Sequence, residues 1–193
     1  MKKSPARNVH LKKGPSKLLE KINSSIEVDA RLYKEDIQAS IAHAHMLIKT
    51  KIISAQEGKK IIVALQQIFR SIDKGKVRFE KKYEDIHMNI EYRLQEIVGQ
   101  AGHRLHTGRS RNDQIALDLK LFCLESAADW CGKLLGFQKI VVGRAEELKK
   151  DLFPGWTHLQ AAQPLSWGHY LLAFCEMLGR DFYRLTQYQK LHG

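Results

Sequence analysis

Apolar residues recur at steps of three and four over most of this chain, which is the spacing of one buried helix face. From residue 29 to about residue 50 the apolar stripe consists of Leu32, Ile37, Ile41, Ala44 and Ile48. Ser54-Ala-Gln-Glu57 is a capping-box sequence ahead of a second stripe, which Gly75 ends. The pattern therefore predicts two successive helices in this part of the chain.

The same periodicity predicts three further helices. One begins near residue 85 or 86 and ends around Gly99, and a loop over residues 100–110 is expected to follow it. The next extends from about residue 112 to residue 152 without a proline, and at 1.5 Å per residue it would be about 60 Å long. The last begins at Pro164, which suits the first turn of a helix, and continues almost to the end. Helices this long need partners to cover their apolar faces.

The net charge of +11 would suit a nucleic-acid-binding protein, because clustered Lys and Arg attract phosphate. Residues 1–21 hold seven Lys or Arg against Glu20 alone, so a net +6 lies in this segment. The remaining charge is spread along helices, without an aromatic-rich basic stripe or zinc-ligand spacing. We therefore favour a solvated basic surface and no nucleic-acid partner. A basic helical nucleic-acid-binding protein stays an alternative.

Cysteine use and hydropathy indicate a cellular compartment. The three cysteines, Cys123, Cys131 and Cys175, are odd in number and lie in apolar helical surroundings, unlike a secreted disulfide framework. The N-terminus is basic without an apolar core, and no run approaches the roughly 18 apolar residues of a membrane span. We expect a cytoplasmic protein with buried, reduced cysteines and no membrane partner.

The stretch His106-Thr-Gly-Arg-Ser-Arg-Asn-Asp-Gln114 has nine consecutive hydrogen-bonding or flexible residues between two apolar segments. Arg109 and Arg111 offer planar donors to a carboxylate. Ser110 and Asn112 stand where a helix begins, and the free N–H groups of a helix start attract anions. The stretch predicts a binding site for a carboxylate-rich ligand. A basic N-cap on a surface helix is the alternative.

This stretch resembles the first signature of the argininosuccinate lyases, a family of the fumarase/aspartase superfamily. Gly155-Trp-Thr-His-Leu-Gln-Ala-Ala-Gln-Pro164 resembles the second signature and follows in the family's order. Shorter matches at residues 23–29, 31–36 and 84–87 extend the resemblance from about residue 23 to the C-terminus. Other lyases of the superfamily do not carry the first stretch, so the resemblance favours this family among them.

The resemblance implies an all-α fold, in which an N-terminal helical domain precedes long helices of a central bundle formed by four subunits. We expect a basic, flexible tail over residues 1–22, the N-terminal helical domain with the first signature loop over 23–111, and part of the central bundle over 112–193. The family's third signature, a Gly-Ser-Ser-x-Met-Pro-Gln-Lys-Lys-Asn loop, does not occur in these residues. We therefore interpret the chain as a truncated, N-terminal portion of such a lyase.

The chemistry implied by the resemblance is the reversible cleavage of argininosuccinate into arginine and fumarate, a step of arginine biosynthesis. A proton leaves the carbon beside a carboxylate and a nitrogen group departs, so the site needs carboxylate donors, a base and an acid. No metal or organic cofactor is required. The third signature carries the family's base, so we expect the chain to be inactive alone. A non-catalytic structural or hetero-oligomeric subunit of the same fold stays an alternative.

The family's motifs assign site residues in both signatures and in the shorter matches. His158 is by resemblance the catalytic histidine, as acid or polarising partner, with Thr157 beside it. The substrate-binding residues assigned in this way are Ser25, Asp29, His87, Ser110, Arg111, Asn112 and Gln160. Two have equally weighted structural alternatives: Asp29 as a helix N-cap, and His87, together with Asp85, as a capping residue at a helix start.

Overall fold

The computed structural model describes residues 17–193, most of which are helical. The α-helices are α1 (Lys17–Asn23), α2 (Ile26–Asp29), α3 (Tyr33–Lys49), α4 (Ala55–Asp73), α5 (Ile86–Val98), α6 (Gln100–Arg104), α7 (Arg111–Glu147) and α8 (Trp167–His192). Short 3-10 turns cover Ala30–Leu32 and Lys81–Tyr83. Strands β1 (Leu152–Thr157) and β2 (Gln160–Ser166) pair antiparallel. The predicted helical fold is confirmed, with one small hairpin added to it in the described part of the chain.

The chain divides into two compact units, residues 1–119 and residues 120–193. The sequence placed a boundary between residues 111 and 112, close to the start of α7 at Arg111, whereas the first turns of α7 belong to unit 1. The reason is that Gln114 and Asp118 are buried there among the side chains of unit 1. Of the tail expected over residues 1–22, residues 1–16 lie outside the described residues and residues 17–22 belong to α1.

Unit 1 has its core where α3, α4 and α5 pack together. The apolar side chains that are almost fully buried include Ala44, Leu47, Ile61, Leu65, Ile86 and Leu94. Burying one large side chain of this kind contributes about 1.5–3 kcal/mol. The predicted capping box starts α4, since Ser54 Oγ accepts from the Glu57 N–H at 3.2 Å and the Glu57 carboxylate accepts from the Ser54 N–H at 3.3 Å. This core fixes the segments that carry the first signature.

Two expectations about the signature regions are wrong. Residues 100–110 were expected to form a loop, but α6 occupies the first five of them. Pro164 does not begin a helix; it lies in β2 opposite Pro154, and a two-stranded hairpin tolerates proline because each strand has a free edge. Helix α8 begins at Trp167, where Ser166 Oγ accepts from the His169 N–H at 3.1 Å.

Unit 2 contains most of α7, the hairpin and α8. The two helices have 37 and 26 residues, and large apolar side chains on both are exposed, among them Trp130, Phe137, Ile140, Phe174 and Met177. All three cysteines are free; Cys131 is buried and Cys175 is half-buried, but Cys123 is exposed, contrary to expectation. Across the described residues, no helix combines the length and the apolar character needed to cross a bilayer.

Candidate functional site

The first signature turns into helix α7 at Arg111. Gly108 adopts a φ of +70°, a left-handed conformation that glycine reaches without a side-chain clash. The Asn112 N–H donates to Ser110 Oγ at 3.2 Å, and the Ser110 N–H donates to the Asp113 carboxylate at 3.2 Å. Ser110 therefore caps the first turn of a long helix, whose start has a favourable potential for an anion.

The Arg111 guanidinium is held by side chains of unit 1. Nη1 donates to Gln114 Oε1 at 2.6 Å, and Nη2 donates to Glu91 Oε2 at 3.1 Å. The Asp85 carboxylate lies 3.9 Å from Nε, and the Arg111 side chain is 26% exposed. A guanidinium has five N–H donors, so these contacts fix its plane while leaving donors for a further acceptor.

Arg109 lies deeper than Arg111. Its Nη1 donates to Ser40 Oγ at 3.2 Å, while its buried Nε has no acceptor among the described residues. Burial lowers the pKa of the Arg109 guanidinium, although the nearby Asp36 carboxylate opposes this shift. Arg109 thus places a largely enclosed positive charge beside the buried groups described next.

Behind these arginines, three ionisable side chains form a buried cluster: Asp36 of α3, His87 of α5 and Asp118 of α7. His87 Nδ1 lies 3.1 Å from Asp36 Oδ1 and 3.4 Å from Asp118 Oδ2, and no side chain of the three is more than 2% exposed. Gln114 Nε2 also donates to Asp36 Oδ1. Neither oxygen of Asp118 has a donor among the described residues. The ligand atoms of the three lie within 4.8 Å of one another, close enough to share a cation or a proton.

The two buried carboxyl groups differ in proton affinity. Burial raises the pKa of Asp118 to about 7, and the negative charge of Asp36 adds to the effect. Burial also opposes the charged form of Asp36, but the hydrogen bond and charge of His87 outweigh it, so the pKa of Asp36 is lowered. For His87, burial lowers the pKa, but the hydrogen bond and charge of Asp36 prevail and raise it. The proton-binding member of the carboxyl pair is therefore Asp118.

A small cavity of about 20 Å³ adjoins this cluster and is lined by Asp36, Ser40, His87, Glu91, Arg109 and Arg111, among others. A volume of this size holds about one water molecule. The cavity is therefore too small for an organic ligand. His87, predicted to bind substrate, faces this enclosed polar space.

Sequence reasoning missed Asp36 and Asp118 as candidate site residues. The signal that the sequence offers is the spacing of Arg111, Gln114 and Asp118, which stand three and four residues apart and share one face of α7. Asp36 stands four residues ahead of Ser40 on α3, so both contribute to the same polar face. Polar residues repeating at helical spacing indicate a buried polar contact as well as a solvated face.

Ser25 and Asp29 join the start of the described chain to α5. Ser25 Oγ donates to Asp29 Oδ2 at 2.6 Å, and Asp29 Oδ1 accepts from the Ile86 N–H at 3.1 Å. The Ser25 N–H donates to the Glu84 carbonyl at 2.9 Å. The alternative that Asp29 caps the turn following it is wrong, because its side chain makes no such bond. It instead satisfies a free N–H of a helix 57 residues away.

The sequence left a helix-capping role open for both Asp85 and His87, and the structure gives that role to Asp85 alone. Asp85 is the N-cap, since its carboxylate accepts from the Met88 N–H at 2.6 Å. His87 takes no part in capping, because its side chain points into the buried cluster, where Asp36 accepts its hydrogen bond. The predicted capping role is thus confirmed for Asp85 and wrong for His87.

The second signature forms the β-hairpin of unit 2. Thr157 pairs with Gln160, and the two residues between them, His158 and Leu159, have φ angles of 50° and 62°. Two successive left-handed residues are the hallmark of a type I′ turn, whose twist matches that of paired strands. Residues other than glycine hold this conformation at a cost of about 1–3 kcal/mol each. His158 is exposed at the tip of the hairpin, beside Leu159, which is 97% exposed.

The predicted site residues fall into separate groups. Ser110, Arg111 and Asn112 meet at the start of α7, and the hydrogen bonds from Arg111 through Gln114 to Asp36 connect them with His87. Ser25 and Asp29 form their own contact with the start of α5. In unit 2, Thr157, His158 and Gln160 lie together in the hairpin.

Unit 1 thus presents a helix start with a favourable potential for an anion, and unit 2 presents an exposed histidine at a hairpin tip. The chain belongs to the lyase family, whose sequence pattern matches residues 10–192. The predicted resemblance to argininosuccinate lyases is also confirmed. The chain is 48% identical over 172 residues to an argininosuccinate lyase of Bartonella bacilliformis, covering 89% of this chain and 37% of that protein.

A second curated relative and a solved structure are also similar to this chain. An argininosuccinate lyase of Heliobacterium mobile is 47% identical over 178 residues, which is 92% of this chain and 39% of the relative. The chain thus spans about two-fifths of the length of these curated relatives. Among solved structures, EDDS lyase in complex with formate is similar with a TM-score of 0.71 at 25% identity, over 83% of this chain and 31% of that one.

Proposed function

We propose that this chain supplies part of the active site of an argininosuccinate lyase, a carbon–nitrogen lyase that cleaves argininosuccinate into arginine and fumarate. The observation that carries the proposal is the identity of 47–48% to two argininosuccinate lyases over about nine-tenths of the chain. The lyase pattern over residues 10–192 includes both signature regions. The step belongs to arginine biosynthesis.

In this proposal, unit 1 binds the carboxylate that becomes part of fumarate. The supporting observation is the start of α7, where Ser110 Oγ accepts from the Asn112 N–H and the Arg111 guanidinium is held with spare donors. Donors fixed in advance stabilise the negative charge that develops on this carboxylate when the neighbouring carbon loses its proton. Ser25 and Asp29 would contact the arginine end of the substrate.

Unit 2 would supply the acid side of the reaction. A base removes the proton, and the electron pair moves into the neighbouring carboxylate. The pair then returns to form the carbon–carbon double bond of fumarate as the carbon–nitrogen bond breaks, with the electrons of that bond going to nitrogen. His158 at the exposed hairpin tip would protonate or polarise the departing nitrogen, with Thr157 and Gln160 orienting the substrate. By the resemblance, the base belongs to the third signature, so these 193 residues would not be active alone.

The exposed apolar side chains of α7 and α8 support assembly as part of the proposal. A contiguous apolar surface in water favours association, and the proposed assembly is a homotetramer in which these helices pair with those of other copies. The proposed chemistry involves no metal, cofactor, nucleic acid or membrane.

The deciding experiment is complementation. The chain is refolded with a fragment of the Bartonella bacilliformis relative that carries the third signature, and fumarate formation is followed by absorbance. We expect turnover from the mixture and none from either part alone. A mixture that assembles by light scattering but stays inactive would contradict the proposal and favour a non-catalytic subunit of the same fold. A mixture containing His158→Asn serves to show that turnover depends on this chain.

A further inference from the structure

The buried carboxyl of Asp118 is an unusual feature of unit 1. It is fully buried, and neither oxygen has a donor among the described residues. A carboxylate in such a place is costly, because burial removes the water that would solvate its charge and His87 Nδ1, 3.4 Å from Asp118 Oδ2, makes no hydrogen bond to it. A carboxylic acid avoids most of this penalty, since it carries no net charge and can itself donate a hydrogen bond.

The charged groups around Asp118 do not remove the difficulty. The nearest positive groups are His87 of α5 and Arg109 of the signature loop, while Asp36 of α3 brings a second negative charge. His87 Nδ1 is directed at Asp36, and Arg109 Nη1 donates to Ser40. Farther out, Glu91 pairs with Arg111, so these two charges largely cancel. A proton shared by the carboxyl pair would let Asp118 donate a hydrogen bond to Asp36 and would remove one of the two negative charges.

We propose that Asp118 is a positioning residue that stays protonated near neutral pH and shares its proton with Asp36, and that this neutral acid fixes His87 and, through Gln114, Arg111. Asp36 then accepts from three donors: His87, Gln114 and Asp118 itself. The ligand atoms of Asp36 and Asp118 lie within 4.8 Å of each other. Two buried carboxyls this close normally retain one proton between them, because two negative charges would repel each other strongly. In agreement, the pKa of Asp118 is raised to about 7.

The same geometry favours a proton over a metal ion in the cluster. A metal would need the lone pair of His87 Nδ1, which in the present arrangement carries the hydrogen that binds Asp36 at 3.1 Å. The link from Asp36 through Gln114 to Arg111 rests on hydrogen bonds within unit 1. Only the last consequence, that Arg111 is thereby held for a substrate carboxylate, rests on the proposed function.

Infrared spectroscopy of the 193-residue chain tests the proton directly. A protonated carboxyl has a C=O stretch at higher frequency than a carboxylate, so the wild-type chain should show this band near pH 6 and lose it as the pH rises. Asp118→Asn should remove the band, whereas Asp129→Asn, on an exposed side chain of the same helix, should keep it. Asp36→Asn should shift the loss of the band to lower pH, because the neighbouring negative charge is gone.

Three results would overturn the proposal. One is a wild-type chain with no such band near pH 6, which needs no variant to fold. Another is a band that survives Asp118→Asn unchanged. The third is thermal stabilisation of the wild-type chain by Zn²⁺ or Mn²⁺ alone that Asp118→Asn abolishes, since the cluster would then be a metal site.

The positioning role has its own readout in the complemented enzyme. The KM for argininosuccinate should rise severalfold as the pH passes above about 7 in the wild type, because Asp118 loses its proton, and should change less in Asp118→Asn. Equal pH profiles would reject the positioning role. A complemented enzyme without any activity would count against the proposed function, while the infrared band would still decide whether Asp118 is protonated.

Discussion

Gln114 Oε1 accepts a hydrogen bond from Arg111 Nη1 at 2.6 Å, so two residues three apart on α7 form a rigid pair at the helix start. The opposite end of the same amide donates to Asp36, which lies 78 residues earlier in the chain. One buried amide therefore orients both a candidate ligand-binding guanidinium and a buried carboxylate. Reversing the amide would place its NH₂ against the guanidinium, so the orientation is fixed by both partners.

Gln114→Leu should destabilise the chain by about 1–3 kcal/mol, because Asp36 loses a buried donor and Arg111 an acceptor. The measurement is the urea midpoint of unfolding. Gln67→Leu, at an exposed position of α4, makes a matched control that should change the midpoint little. Equal midpoints for the two variants would mean that the amide does not connect these groups in solution.

Arg111→Lys should impair the complemented enzyme even though the charge is kept. Lysine lacks the planar fork that binds Gln114, Glu91 and, in our proposal, a substrate carboxylate. Losing charge-assisted hydrogen bonds of about 1.5–3 kcal/mol would lower kcat/KM about ten- to a hundredfold. Steady-state fumarate formation measures this, with the exposed Arg70→Lys as the control. Unchanged kinetics in Arg111→Lys would argue that this guanidinium is structural.

Asp118 should make stability depend on pH with a definite sign. Its pKa is about 7 in the folded chain against 3.8 as the ordinary value, so between these values the folded state binds more protons than the unfolded state. The contribution of Asp118 to the free energy of unfolding is complete below pH 3.8 and is lost as the pH rises to about 7. This loss is at most about 1.4 kcal/mol per pH unit. The raised pKa of His87 likewise makes the folded chain less stable as the pH rises.

Urea unfolding at several pH values compares the wild-type chain with Asp118→Asn. We expect the wild type to lose stability relative to the variant between about pH 4 and pH 7, because the amide cannot ionise. A difference between the two proteins that stays constant with pH would contradict a raised pKa at this position. Asp36 affects stability in a separate pH range, below its ordinary pKa, because its own pKa is lowered. In that range the chain loses stability as the pH falls.

Helices α3, α4 and α5 were predictable from sequence because each buries one apolar stripe, and α4 additionally has a complete capping box. The hairpin was not. Its turn uses His158 and Leu159 in left-handed conformations, where Asn or Gly would have been the recognisable signal, and prolines occur in both strands. Local sequence preference therefore favoured a helix start at Pro164, while pairing of the two segments decided the structure.

Sequence motifs proposed candidate residues only in the outer part of the region around the start of α7. They predicted Ser110 and Arg111 as binding residues because the residue types and their order carry chemistry. The buried cluster depends instead on three helices meeting, with Asp36 and His87 separated by 51 residues. The local sign of such a contact is the spacing of Arg111, Gln114 and Asp118 along one face of α7, and it does not say which other helices meet that face.

The exposed apolar faces of unit 2 predict association of the chain. Phe137 and Ile140 on α7 are more than half exposed, and burying such side chains contributes about 1.5–3 kcal/mol each. Light scattering at micromolar concentration should therefore show oligomers or aggregates. Replacing both residues by Gln should reduce the apparent mass, whereas the same change at exposed Val63 of α4 should not. A strictly monomeric wild-type chain would contradict the proposed bundle.

His158→Asn should lower kcat of the complemented enzyme far more than it changes KM. General acid catalysis contributes about 10²–10⁴-fold, and asparagine cannot supply a proton near neutral pH. Asparagine is also well suited to the left-handed conformation that His158 adopts at a φ of 50°, so the hairpin turn should be preserved. His169→Asn, an exposed histidine of α8, is the matched control and should retain wild-type kinetics. If both variants kept near-wild-type kcat in a correctly assembled enzyme, the acid role of the hairpin would be wrong, and the residual rate would have to come from groups outside the second signature.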